Sequence, residues 1–172
     1  MIIKTDRLVL EPLGTKHFET TCGYSMSLEN TKYMCYLPCD STGEVMQYLE
    51  KCERQWKMQQ PEYLDAAVIL DGVNIGAVSI ELLDGGATGE LGWILNPDHH
   101  GSGYAYEAAA AFMQYFQSRF LLKRFIAHAD TENKASVRVM EKLGMRCIGI
   151  AGGRKNRCSD EERMECTYEL ML

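Results

Sequence analysis

Hydrophobic and polar positions switch between two periods along the chain, and the switches divide it into elements. Arg7-Leu-Val-Leu-Glu-Pro12 alternates with period two, which predicts a first strand closed by Pro12. His17 to Met26 and Glu29 to Tyr33 read as helices, the second a short one. Ser41-Thr-Gly-Glu44 has capping-box spacing and opens a polar helix expected to run to Gln59, before Pro61. Leu64 to Leu70 and Asn74 to Leu82 return to strand character on either side of Asp71-Gly72, a hairpin turn. Asp84-Gly-Gly86 marks another turn, and Thr88 to Leu95 is the next strand. Tyr104 to Leu121 carries apolar residues at 105, 108, 109, 112, 113, 116 and 120, a helical period. Arg124 to Ala129 is a strand, and Asn133 caps a helix to Leu143 that Gly144 stops. Met145 to Ile150 and Arg163 to Met171 close the chain as a pair of strands. No linker, repeat or low-complexity tract interrupts this order. It predicts one domain over residues 1–172, an α/β (mixed α+β) fold with a mixed sheet and helices on both faces.

Composition narrows the setting. At 172 residues the chain is long enough to bury a core without a metal or disulfide staple. No apolar run approaches the ~20 residues of a membrane span, and no signal-peptide pattern opens the chain. The seven cysteines are therefore expected as reduced thiols in a cytoplasmic protein. They form no CxxC pair, and Cys35/Cys39 has no later partner pair, so no metal site is expected. A net charge of −6 argues against a nucleic-acid surface and suits a cationic amine partner. Arg154-Lys-Asn-Arg157, followed by Asp160-Glu-Glu162, reads as a solvated hairpin.

The chemistry concentrates after the strand Gly89-Glu-Leu-Gly-Trp-Ile-Leu-Asn-Pro97. The segment His100-Gly-Ser-Gly-Tyr-Ala105 is a glycine loop running straight into an alanine-rich helix. Gly101 and Gly103 permit close backbone approach, and Ala105 starts the helix without bulk. Loop N–H groups and the helix dipole converge on one point, a device for holding an anion such as phosphate. No Gly-Lys-Ser/Thr follows, and Tyr106 occupies the place of the third Rossmann glycine, so neither competing phosphate motif fits. Asn133-Lys-Ala-Ser136 then opens the next helix after a strand.

This loop, strand and helix order resembles the GNAT family of acetyl-CoA-dependent N-acetyltransferases, in particular the subgroup that includes ribosomal-protein N-terminal acetyltransferases. The resemblance covers essentially the whole chain and implies a mostly antiparallel central sheet of about seven strands. It implies that N–H groups of His100, Gly101, Ser102, Gly103, Tyr104 and Ala105 hold the pyrophosphate of coenzyme A. His100 departs from the family's usual Gln or Arg at the head of the loop. The resemblance further implies that Asn133 contacts the pantetheine arm, with Ser136 near the sulfur as a donor to the leaving thiolate. It also implies that backbone N–H groups near Ile94 and Leu95 polarise the thioester oxygen.

The acceptor must lose a proton before attack, because an α-amino group has a pKa of ~7.7–8.0 and lysine ~10.4. Glu90 lies on the strand where GNAT enzymes often place the base; its other reading is a surface carboxylate on a half-exposed strand. The implied reaction is direct acetyl transfer to a small-molecule amine or a protein N-terminus, with the enzyme a monomer or homodimer. The alternative is a CoA-binding sensor or interaction module that has lost catalysis. His99 and His128 read as solvated or packed residues, and Trp93, Phe112 and Phe116 as core. Trp56 and Met58 either line a substrate cleft or dock a helix.

Overall fold

A computed structural model describes residues 1–172. Two short strands, β1 (Ile3–Lys4) and β2 (Val9–Pro12), lead into the helices α1 (Phe18–Ser25), α2 (Leu28–Thr31) and α3 (Thr42–Gln55). Three long strands follow, β3 (Tyr63–Leu70), β4 (Val73–Leu83) and β5 (Thr88–Leu95), then α4 (Tyr104–Gln117). β6 (Arg124–Asp130), α5 (Lys134–Lys142), β7 (Arg146–Arg154) and β8 (Arg163–Met171) complete the chain. No helix is long and apolar enough to cross a membrane.

All eight strands form one sheet in the order β1-β2-β3-β4-β5-β6-β8-β7. Every pair is antiparallel except β5 and β6, which the crossover through α4 makes parallel. The eighth strand is β1, whose two residues are too few to show any alternation. Asp71 and Gly72 both have left-handed φ, +49° and +82°, which closes the β3–β4 hairpin. Residues on one face (Leu91, Leu95, Phe125, Ala127) pack with Phe112 and Phe116 of α4 and Met140 of α5. The opposite face (Ala67, Ala77, with Ile69 and Ile94) is covered by α3 through Val45, Leu49 and Cys52.

Three boundaries differ from the sequence reading by about a helical turn or more, the others by at most two residues. α3 stops at Gln55 because Trp56 turns its indole N–H onto the Asp65 carbonyl at 2.7 Å and joins the core. α4 stops at Gln117, where Phe120 folds back to stack on Phe116 and leaves Leu121 94% exposed. β7 runs past Ile150 to Arg154 by way of an irregularity in its pairing with β8.

Beneath α3 lies a buried carboxyl. Asp65 accepts from Tyr48 Oη at 2.9 Å and faces Cys52 Sγ at 3.6 Å. Burial pushes Asp65 up to about 6, so the folded chain holds this proton more tightly than the unfolded one. Its contribution to stability is therefore largest at acidic pH and is lost as pH rises through about 6. Asp65→Asn is expected to unfold later than the parent at pH 7.5, by about 1–2 kcal/mol, with the advantage vanishing near pH 4. Denaturant midpoints at the two pH values check this. A variant that is equally destabilised at both would contradict it.

Candidate active site

The parallel pair β5–β6 does not stay together. Its pairing runs from Thr88↔Arg124 to Leu91↔Ala127 and ends there, although both strands continue. The second half of β5 keeps its partner on the other side, from Ser79↔Gly92 to Gly76↔Leu95, so a wedge opens between β5 and β6. Asn96 N–H donates to the Ile75 carbonyl at 2.8 Å, which sets the alternation of the ladder. Backbone groups of Ile94 and Gly92 accordingly face β4, and those of Trp93 and Leu95 face the wedge. A Cβ on Gly76 would lie 2.2 Å from the Ile94 carbonyl oxygen, which independently places that peptide against β4. Of the two N–H groups expected at the thioester, Leu95's is directed into the wedge and Ile94's is not.

At the open end of the wedge the chain turns into the glycine loop. Asn96 Oδ1 accepts from Asp98 N–H at 3.1 Å, and Pro97 starts one 3-10 turn. Gly101 and Gly103 then take φ of +77° and +84°, a left-handed geometry that bulky side chains resist. Six consecutive N–H groups, from Gly101 to Tyr106, donate to no protein acceptor. Loop and helix therefore present a concentrated set of donors together with the positive end of α4. The His100 ring is directed away from them, with Nε2 3.1 Å from the Leu95 carbonyl. Asn30 Nδ2 reaches the same oxygen at 3.1 Å. Tyr104 and Ala105 pack on the core from the first turn of α4.

Asn133 caps α5 by accepting from Ser136 N–H at 3.1 Å, which leaves its Nδ2 without a protein partner. Ser136 Oγ lies 3.3 Å from Trp93 Nε1. Indole N–H is a donor only, so the serine oxygen accepts and its own hydrogen stays free to donate elsewhere. Trp93, expected as plain core, is thus half-buried and tied to a candidate site residue. That contact crosses from β5 to α5, out of reach of any local pattern.

Glu90 sits at the closed end of the wedge, opposite Glu81 of β4 and Ile126 of β6. Burial raises its pKa, Glu81 and Glu165 add to the rise, and His128 opposes it. His128 Nε2 is 3.9 Å from Glu90, and its Nδ1 is 3.4 Å from Glu165 and 3.1 Å from Thr167 Oγ1. Expected as a solvated or packed residue, His128 stands between two carboxylates supplied by β5 and β8. Side chains of all three remain 27–35% exposed, so a proton taken up here can leave to water.

The basic hairpin is not merely solvated either. Asn156 is buried, with Nδ2 2.8–2.9 Å from the carbonyls of Thr31, Met34 and Leu37. Arg154 donates to the Tyr33 carbonyl, and Arg157 pairs with Asp40 and Glu44. The β7–β8 hairpin thereby clamps the α2–α3 loop beside this face of the sheet. Trp56 and Met58 border a groove with Pro61 and Phe120.

The sequence profile of the acetyltransferase (GNAT) domain matches residues 7–146. Among curated proteins, the uncharacterized N-acetyltransferase YnaD of Bacillus subtilis is 43% identical over 76 residues, 44% of this chain and 45% of that protein. The chain thus spans under half the length of that relative. An acetyltransferase (GNAT family) structure from Bacillus anthracis is 30% identical and superposes with a TM-score of 0.81, covering 99% of this chain and 98% of its own. RimL, a ribosomal α-N-protein acetyltransferase solved in complex with coenzyme A, superposes at 0.80 with 14% identity, covering 100% and 98% of the two chains. At that identity the likeness is one of fold.

Proposed function

The chain belongs to the GNAT acetyltransferase family, and from that premise we propose that it moves an acetyl group from acetyl-CoA directly to a primary amine, on a small molecule or a protein N-terminus. The observation that carries this reading is the run of six unpaired N–H groups at the start of α4, opening beside the β5–β6 wedge. The thioester supplies an activated acetyl group, and the remaining work falls to residues of this chain. N–H groups from Gly101 to Tyr106 hold the pyrophosphate, and Asn133 Nδ2 meets the pantetheine arm. Leu95 N–H polarises the thioester carbonyl. Ser136 Oγ–H donates to the sulfur as it gains charge, and Glu90 takes the proton from the amine, with His128 beside it. No cysteine stands in either motif, so the acetyl group passes without a covalent enzyme intermediate.

A panel of polyamines, aminoglycosides, free amino acids and peptides tests the reaction by thiol release from acetyl-CoA. At least one acceptor should give saturable release and a product one acetyl group heavier. Thiol release that never depends on an acceptor would overturn the reading. The cradle has its own test, because a β-branched residue at φ +84° forces the loop out of its left-handed geometry. Gly103→Val should raise the calorimetric Kd for coenzyme A by about tenfold or more. Unchanged affinity would remove the loop from the binding site.

A further inference from the structure

The donor cradle has an acid built into it. Glu107 lies in the first turn of α4, one residue beyond the last of the six unpaired N–H groups. A carboxylate there suits the helix but competes with a bound anion for the same positive end. Its charge is answered from the far N-terminal segment. Arg7 meets Glu107 Oε2 through Nε at 2.7 Å and Nη2 at 2.6 Å, and its backbone N–H reaches Oε1 at 3.0 Å. Thr5 Oγ1 adds a fourth donor at 2.5 Å, and a Thr5–Leu8 turn holds both residues in place. Burial works against the ionised carboxyl, but these bonds more than offset it and hold the Glu107 pKa below the ordinary value.

Arg7 also touches the loop itself. Its Nη1 donates to the Ser102 carbonyl at 3.0 Å, and its guanidinium lies 4.5 Å from the centre of the Tyr104 ring. In a planar trans peptide the C=O and N–H point in opposite directions. Holding the Ser102 oxygen against Arg7 therefore turns the Gly103 N–H away from it, to the side where the cradle opens. His100 is committed to the Leu95 carbonyl, so the cation beside this loop comes from residue 7.

We propose that Arg7 is a positioning residue for the phosphates of coenzyme A, which keeps the cradle receptive to an anion by neutralising Glu107 and orienting the Ser102–Gly103 peptide. This rests on the proposed cofactor site. The test is a double-mutant cycle read by calorimetry with coenzyme A and, separately, with pantetheine, which has no phosphate. Arg7→Ala should weaken coenzyme A about tenfold and leave pantetheine unchanged. Glu107→Gln alone should bind coenzyme A at least as well as the parent. The Arg7→Ala/Glu107→Gln double variant, which leaves no unpaired charge, should recover part of the lost affinity, the remainder being the share of the missing Ser102 contact. Equal weakening of both ligands, or a double variant no tighter than Arg7→Ala, would overturn the proposal. A parent protein that binds no coenzyme A would instead overturn the cofactor site itself.

Discussion

Glu90→Gln is expected to lower turnover by about 10²–10⁴-fold at neutral pH while leaving coenzyme A binding near the parent value. The substitution keeps shape and hydrogen bonding but removes the basic group. Burial, aided by Glu81 and Glu165, raises the Glu90 pKa, so the parent should lose activity as pH falls through that raised value and the base is protonated. The Gln variant lacks this acid limb, and its activity should partly recover at high pH, where more of the amine is already neutral. His128 opposes the rise, so His128→Ala should move the parent's acid limb to higher pH. Rate profiles of kcat against pH for the three proteins decide the matter. A loss under threefold returns Glu90 to the half-exposed strand surface, whereas a large loss with an unchanged profile makes it a positioning group for the amine.

Ser136→Ala is expected to lower kcat by about 10²–10³-fold with only a modest change in KM for acetyl-CoA. Ser136 accepts from the Trp93 indole at 3.3 Å, so its remaining hydrogen is free for an acceptor that becomes charged only as the C–S bond breaks. Trp93→Phe should act in the same direction but less strongly, because the hydroxyl survives and only its orientation is lost. Steady-state kinetics with the acceptor held saturating separates the two parameters. An effect confined to KM would make Ser136 a binding residue and leave the thiolate without this donor.

Much of this arrangement is readable in the chain because its signals are local. Period-two alternation in Leu64–Leu70 and Asn74–Leu82, broken by Asp71-Gly72, is enough for a hairpin. Gly101 and Gly103 ahead of an alanine-rich helix are enough for a donor loop. What local patterns do not carry is pairing across elements. His128 finds its carboxylates on β5 and β8, Trp93 meets Ser136 on α5, and Arg7 reaches Glu107 from the other end of the chain. The choice between Ile94 and Leu95 depends on register, since a shift of one residue exchanges which N–H faces the wedge. Asn156 looks like a hairpin residue until the carbonyls of Thr31, at the end of α2, and of Met34 and Leu37, in the loop after it, converge on it.

Entry of coenzyme A into the β5–β6 wedge, with its phosphates on the glycine loop, is tested most directly by following amide resonances of isotopically labelled protein during a titration. Saturable shifts are predicted for the N–H groups of Gly101, Ser102, Gly103 and Leu95 and for the Trp93 indole, at one ligand per chain. Absence of saturable shifts, or shifts confined to the groove beside Trp56, Pro61 and Phe120, would contradict it.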